Sequence, residues 1–208
     1  MHKDRLVEHF RKFPGIGPKQ AERFVYFLMK QNQNFLDNFI NNIKELKQYS
    51  IKCVECERHT YLSTHNPNEK HICDICSDEN RDGATIMIVE KEMDIDSIEK
   101  SGIYTGVYFV LGGHLPFLAQ DPKEYISIES LTKRIFNKIK NNSLNEIVFA
   151  LPVSDEGDNE MEYIKKVITQ IVGMDKVKIS TLARGVSTGL EMEYVDHDTF
   201  KYAFDARK

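Results

Sequence analysis

The sequence predicts an α+β chain of several modules: N-terminal helices, a small cysteine module, an α/β unit with a mainly parallel sheet, and a helical segment at the end. Three observations predict it. Apolar residues recur at helical spacing through the first fifty positions, and all four cysteines fall between positions 53 and 76. From residue 84 onward, short apolar runs alternate with longer amphipathic stretches, the pattern of parallel strands joined by crossover helices.

The N-terminal helices follow from spacing. Leu6, Val7, Phe10 and Phe13 are spaced for one face of a helix expected over residues 4–13. Phe13-Pro14-Gly15-Ile16-Gly17-Pro18 ends it, because two prolines and two glycines cannot continue a helix. A second helix is expected from Pro18, a residue tolerated in a first turn, through Leu28. A third is expected over residues 35–49, carried by Phe35, Leu36, Phe39, Ile40, Ile43 and Leu46. Further on, strands are expected at 85–89, 106–111, 146–151 and 177–182. Helices are expected at 93–100, 128–140, 159–172 and 199–207. The implied division is 1–50 for the helical region, 51–80 for the cysteine module, 81–182 for the α/β unit and 183–208 for the last segment.

Charge is uneven along the chain. The formal net charge is −4 over 208 residues, which alone argues mildly against a nucleic-acid partner. Residues 1–30, however, hold Lys3, Arg5, Arg11, Lys12, Lys19, Arg23 and Lys30 against Asp4, Glu8 and Glu22. That segment is net positive and the remainder strongly acidic, so a local grip on phosphates is expected, weakening as salt rises. The N-terminus is charged with no apolar stretch behind it, so no signal peptide is expected. The longest apolar strings, such as Ile86-Met87-Ile88-Val89, are too short for a bilayer. A cytoplasmic protein without membrane contact is expected.

Two cysteine pairs, Cys53-Val-Glu-Cys56 and Cys73-Asp-Ile-Cys76, are separated by sixteen residues. Each pair supplies two adjacent corners of a tetrahedron from a tight turn, so the four thiolates suit one Zn²⁺. Four sulfur ligands leave no open position, and the zinc should therefore be structural. His59, His65 and His71 lie nearby without being required.

The glycines of Pro14-Gly15-Ile16-Gly17 let backbone N–H groups approach a phosphate, and the following helix adds the positive end of its dipole. Lys19 and Arg23, four apart, share one face of that helix. Gly15, Gly17, Lys19 and Arg23 are thus the candidate DNA contacts, and such contacts are indifferent to base sequence. The segment lacks the Gly-Lys-Ser/Thr ending of a P-loop, so no nucleotide site follows. Glu90 ends the first α/β strand, where parallel sheets place their sites, with Asp94 and Asp96 close behind. Ala150-Leu-Pro-Val-Ser-Asp155-Glu156-Gly157-Asp158 ends the third strand at the same edge.

Taken in order, these pieces resemble the RecR family of bacterial recombination mediators over essentially the whole chain. The matching sequence runs from Phe13 to Arg23, through the two cysteine pairs, Val89-Glu90 and Tyr108-Phe-Val-Leu-Gly-Gly113. It continues in Glu156-Gly157, Leu182-Ala-Arg-Gly185, and Glu193-Tyr194 with Asp196. The resemblance implies a helix-hairpin-helix, a four-cysteine zinc finger, a Toprim domain and a C-terminal assembly segment. It also implies a homodimer or ring-shaped homotetramer that clamps DNA, with RecO-like and RecF-like partners, helping to load RecA on single strands.

Toprim domains also occur in topoisomerases and primases, which are enzymes, and the acidic residues discriminate. Catalytic members pair a strand-end Glu with an Asp-x-Asp motif that holds Mg²⁺. On this chain the Asp-x-Asp positions fall on Pro152 and Ser154, and neither supplies a carboxylate. Glu90, Asp94, Glu156 and Asp158 remain as a residual acidic cluster, enough for weak Mg²⁺ binding but not for catalysis. A Toprim nuclease or topoisomerase and an RNA-binding zinc ribbon are the alternatives to a non-enzymatic DNA-binding protein of recombinational repair. The chain departs from the family pattern at Phe109, over 114–122, and at Thr181, Ser187 and Leu190, changes that bear on partner binding more than on fold.

Overall fold

The computed structural model describes residues 2–62, 70–172, 177–182, 189 and 191–205. His65, the stretch 183–185, Ser187 and Leu190 lie outside the described residues. Among those described, 2–50 with 61 and 62 form one compact unit, and 51–60 with 70 onward form a second.

The first unit contains α1 (His2–Arg11), α2 (Pro18–Met29) and α3 (Gln33–Tyr49). α2 packs on α1 through Ala21 and Val25, its buried residues, and Phe10 meets Phe24 edge-on at 5.4 Å. Gly15 turns the chain between these helices at φ +75, a left-handed conformation that side chains other than glycine resist. α3 begins two residues before its apolar face because Asn32 caps it, accepting the Phe35 N–H at 2.8 Å. No residue of α3 is buried.

β1 (Ser50–Lys52) and β2 (His59–Tyr61), most of whose residues belong to the second unit, form a two-stranded ribbon around the first cysteine pair, and the short α4 (Asp74–Ser77) carries the second. The sheet is built of β3 (Asp82–Val89), β4 (Gly106–Val110), β5 (Glu146–Ala150) and β6 (Lys178–Thr181), in the order β4-β3-β5-β6. All its pairings are parallel. The helices α5 (Glu92–Ser101), α6 (Ile128–Lys140) and α7 (Asp155–Val172) make the crossovers, and α8 (His197–Asp205) follows. No helix among the described residues is long and apolar enough to cross a membrane.

A parallel sheet buried on both faces needs a cover for each. Ile86, Ile88, Val107, Phe109, Leu111, Ile147 and Phe149 face α6 and α7, whose Leu131, Ile135, Ile164 and Ile168 complete one core. Each such side chain contributes about 1.5–3 kcal/mol by leaving water. Phe109, a departure from the family pattern, is one of these core residues and is 1% exposed. The opposite face, Met87, Val89, Tyr108 and Val110, packs against Ile95 of α5 and against Cys53, Cys56, Cys73 and Ile75. The cysteine segment thus helps α5 to cover one sheet face.

The largest departure from the expected boundaries is the start of α7. α7 begins at Asp155, not 159, because the Ser154 hydroxyl accepts the Gly157 N–H at 3.1 Å and three carboxylates occupy a first turn whose dipole favours them. The chain closes tightly here: a methyl group on Gly157 would collide with the Pro152 carbonyl. Gly157→Ala is therefore expected to cost about 1–3 kcal/mol in urea unfolding, as overpacking does. Gly83→Ala, whose methyl meets only Lys138 Nζ at 3.9 Å, should stay within about 0.5 kcal/mol of the parent.

Candidate nucleic-acid interface and metal centres

In the first unit, Gly17 is the N-cap of α2 in an extended conformation, with no side-chain cap hydrogen bond. Pro18 has no N–H to offer, so the free amides of the first turn begin at Lys19. Lys19 and Arg23 are exposed on this helix. Two other cations of the unit are engaged: Arg11 donates to Glu8 at 2.7 Å, and Lys3 donates to the Tyr26 hydroxyl at 2.8 Å. Among the described residues no carboxylate pairs with Lys19 or Arg23. The glycine turn, an uncapped helix start and two unpaired cations four residues apart make an arrangement that fits consecutive phosphates.

In the second unit the four cysteines converge, with all four sulfurs within 4.8 Å of one another. Four sulfurs about 2.3 Å from a tetrahedral centre stand about 3.8 Å apart, and Cys56 Sγ lies 3.6 Å from Cys73 Sγ. Local backbone builds each corner. Cys53 N–H donates to the Arg58 carbonyl at 2.9 Å, and Glu57 N–H donates to Cys53 O at 3.0 Å. Glu57 takes φ 62 to close the knuckle, and Cys73 N–H donates to Cys53 Sγ at 3.3 Å. Cys53, Cys56 and Cys73 are buried and Cys76 half-buried.

Crowding makes the thiols unequal. Cys53 is pushed far below its ordinary range, first by its hydrogen bond with Cys56, while the same bond pushes Cys56 far up. A divalent cation bound among them would displace the thiol protons, and the four-sulfur donor set fits a metal such as zinc. Arg134 braces the module. Its Nη1 donates to the Tyr108 carbonyl at 2.6 Å and its Nε lies 3.3 Å from Glu55 Oε2.

The carboxyl edge of the sheet is the third locality. β3 and β5 are neighbours whose crossovers leave to opposite faces, so Glu90, directly after β3, sits at the switch point. Glu90 is 4% exposed and pairs with Lys91 Nζ at 2.6 Å. Asp94 is occupied locally, accepting the Lys91 N–H at 2.9 Å as part of the α5 cap. Glu156 is exposed in the first turn of α7, and Asp158 is half-buried beside it. Among the described residues, the side chains here whose ligand atoms all approach within 4.8 Å are Glu90, His114 and Glu160. Of the sequence-derived cluster, then, only Glu90 belongs to this grouping.

Sequence reading did not single out Glu160 or His114. Glu160 is one helical turn past Glu156, a spacing that becomes visible once α7 is known to start at Asp155. His114 follows Gly112-Gly113, and the loop is tight: Gly112 N–H donates to the Glu90 carbonyl at 3.0 Å, and a methyl on Gly113 would strike the Tyr125 carbonyl. Pro152 and Ser154, which occupy the Asp-x-Asp positions, are used in closing and capping α7.

The chain has recognisable relatives. The family model described as RecR, helix-hairpin-helix, matches residues 3–46, and that of the Toprim domain matches residues 84–183. The recombination protein RecR of Lactobacillus acidophilus is 35% identical over 202 residues, covering 97% of this chain and 94% of the relative. That of Phytoplasma mali is 34% identical over 205 residues, covering 98% and 93%. That of Ureaplasma urealyticum is 30% identical over 198 residues, covering 95% and 91%.

The cysteine cluster yields a direct expectation. Because its metal would hold one cover of the sheet, chelation should unfold more than a peripheral finger: near-ultraviolet circular dichroism of the whole α/β unit should melt at lower temperature. Cys53→Ser should lose bound metal and several kcal/mol of stability, since metal binding here is folding energy. A variant with full metal content by elemental analysis would remove Cys53 from the ligand set.

Proposed function

Because the chain belongs to the RecR family of recombination proteins, we propose that it is a non-enzymatic, cytoplasmic DNA-binding protein of recombinational repair. In this reading it clamps DNA without regard to sequence and cooperates with RecO-like and RecF-like partners in loading RecA on single strands. The observation that carries the DNA contact is the glycine turn before α2, with Lys19 and Arg23 exposed and unpaired behind it. Amides and the helix dipole accept one phosphate at Gly15 and Gly17, and the two cations neutralise its neighbours. No base edge is read in this scheme, so specificity is left to partners.

The metal of the four cysteines is Zn²⁺ in this proposal, coordinatively saturated and structural. The absence of catalysis rests on chemistry: phosphoryl transfer of the Toprim kind needs Mg²⁺ anchored by carboxylates. Pro152 and Ser154 stand where those would be. Any Mg²⁺ held by Glu90, Asp94, Glu156 and Asp158 would be weakly bound.

Self-association as a dimer or ring-shaped tetramer completes the clamp. The proposed division of labour is 1–50 for DNA contact, 51–80 for the finger, 81–182 for the Toprim body and 183–208 for assembly. α3 supports self-association from within the first unit, since Phe39, Ile40, Ile43 and Leu46 line one face and are 39–62% exposed. An apolar stripe of this kind marks an interaction surface.

Two measurements test the proposal. Lys19→Ala with Arg23→Ala should weaken binding to unrelated DNA sequences equally and reduce the salt slope by about two, one per lost phosphate contact; unchanged affinity would move the DNA contact elsewhere. Plasmid incubated with the protein and Mg²⁺ should stay intact, and nicking or relaxation would overturn the non-enzymatic assignment. For assembly, Ile43→Asp should lower the sedimentation coefficient without loss of helical circular dichroism.

A further inference from the structure

Glu160 is fully buried, and its Oε1 has no hydrogen-bond partner. Its other oxygen accepts the Leu115 N–H at 3.4 Å and lies 3.3 Å from His114 Nδ1. Glu90, also buried, completes a trio whose ligand atoms all lie within 4.8 Å of one another. Two buried carboxylates this close repel when both are charged, and an unsatisfied buried oxygen is costly to keep. Lys91 answers only part of this charge: it reaches Glu90 Oε1 at 2.6 Å from a side chain that is 62% exposed and free to swing outward. Glu160 is met on one oxygen by the Leu115 N–H and the part-exposed His114, and its other oxygen stays unpartnered.

His114 stands between two carboxylates, the nearer at Nδ1 and the farther within reach of Nε2. Nδ1 faces Glu160, while Nε2 lies 3.9 Å from Glu156 Oε2. A ligating imidazole characteristically turns its second nitrogen to a carboxylate, which fixes the ring and raises its basicity. The donors also come from three separate elements. Glu90 ends β3, His114 lies in the loop after β4, and Glu160 is in the second turn of α7. The close approaches at Gly113 and Gly157 hold two of those segments in place.

We propose that Glu90, His114 and Glu160 form a second cation site, distinct from the cysteine cluster, that takes a divalent first-row transition metal of the Mn²⁺ class and ties together the ends of β3, β4 and α7. Two carboxylates with one imidazole favour such an ion over Mg²⁺, which prefers oxygen donors alone. None of the three ligands occupies an Asp-x-Asp position, and the proposal does not depend on how the first unit meets DNA.

The test is a Mn²⁺ titration of the full-length protein with its cysteine site already metal-loaded, following the electron paramagnetic resonance signal of free Mn²⁺. A single Mn²⁺ should be taken up, with unchanged cysteine-site metal content, and the bound ion should show nitrogen hyperfine coupling by electron spin echo methods. Glu160→Gln, which keeps the side-chain shape, should weaken uptake at least about tenfold. His114→Ala, at a part-exposed position, should do the same and abolish the nitrogen coupling, so the proposal stays testable if the buried variant misfolds. Mg²⁺ in roughly hundredfold excess should leave most of the Mn²⁺ bound. Folded protein that takes up no Mn²⁺, uptake indifferent to both substitutions, or displacement by equimolar Mg²⁺ would each overturn the site.

Discussion

The constraint on which the second unit depends is that a four-stranded parallel sheet has two apolar faces and must bury both. One face is met in the ordinary way, by the amphipathic helices α6 and α7. The other has only α5 from the crossovers, and the remainder is closed by Cys53, Cys56, Cys73 and Ile75 against Met87, Val89, Tyr108 and Val110. The hydrogen bond from Val110 N–H to the Cys56 carbonyl, 2.9 Å, stitches the cysteine knuckle to the edge strand. A metal in the cluster thus acts beyond the residues that bind it, because the knuckle it shapes is part of the sheet's core.

Most of the fold was legible because the signals were local. Pro18 marks the start of α2, the apolar run 86–89 marks β3, and the cysteine spacing announces a shared centre; each needs only a few neighbouring residues to be read. What was not legible depended on residues far apart in sequence. That the cysteine segment belongs to the sheet rests on contacts between residues 53–75 and 87–110, which no periodicity reports. The early start of α7 is an intermediate case. Ser154 and the acids after it are a recognisable N-terminal signature, but Gly157 inside that turn reads as a loop until its closeness to the Pro152 carbonyl explains why glycine is needed there.

The same distinction governs the carboxyl edge. Glu90 was visible from its place after an apolar strand, and the replacement of two metal-binding positions by Pro152 and Ser154 was visible by alignment of a short motif. Asp94 stands out in the sequence and Glu160 does not, for a physical reason. An acid at the third position of a helix serves equally as a cap or as a ligand, and only the 2.9 Å contact to Lys91 N–H identifies the cap. Glu160 looks from sequence like any solvated helix acid. Its burial arises because α7 packs Ile164 and Ile168 against the sheet, which carries the preceding turn inward along with them.

The chemistry of this edge follows from how its charges are compensated. A catalytic Toprim edge keeps several carboxylates in reach of solvent so that a hydrated Mg²⁺ can bridge them to a phosphate. Here Glu90 is buried beneath Lys91 and Glu160 is sealed between His114 and Leu115, so the carboxylates face the protein interior, with one Glu160 oxygen still unpartnered. The residues that stand in place of the Asp-x-Asp pair hold the start of α7, and α7 in turn delivers Glu160. In the proposed reading, the side chains that replace a substrate-facing metal site therefore also support the geometry of the inward-facing one, and an edge built this way would fix three segments against one another rather than reach a DNA strand.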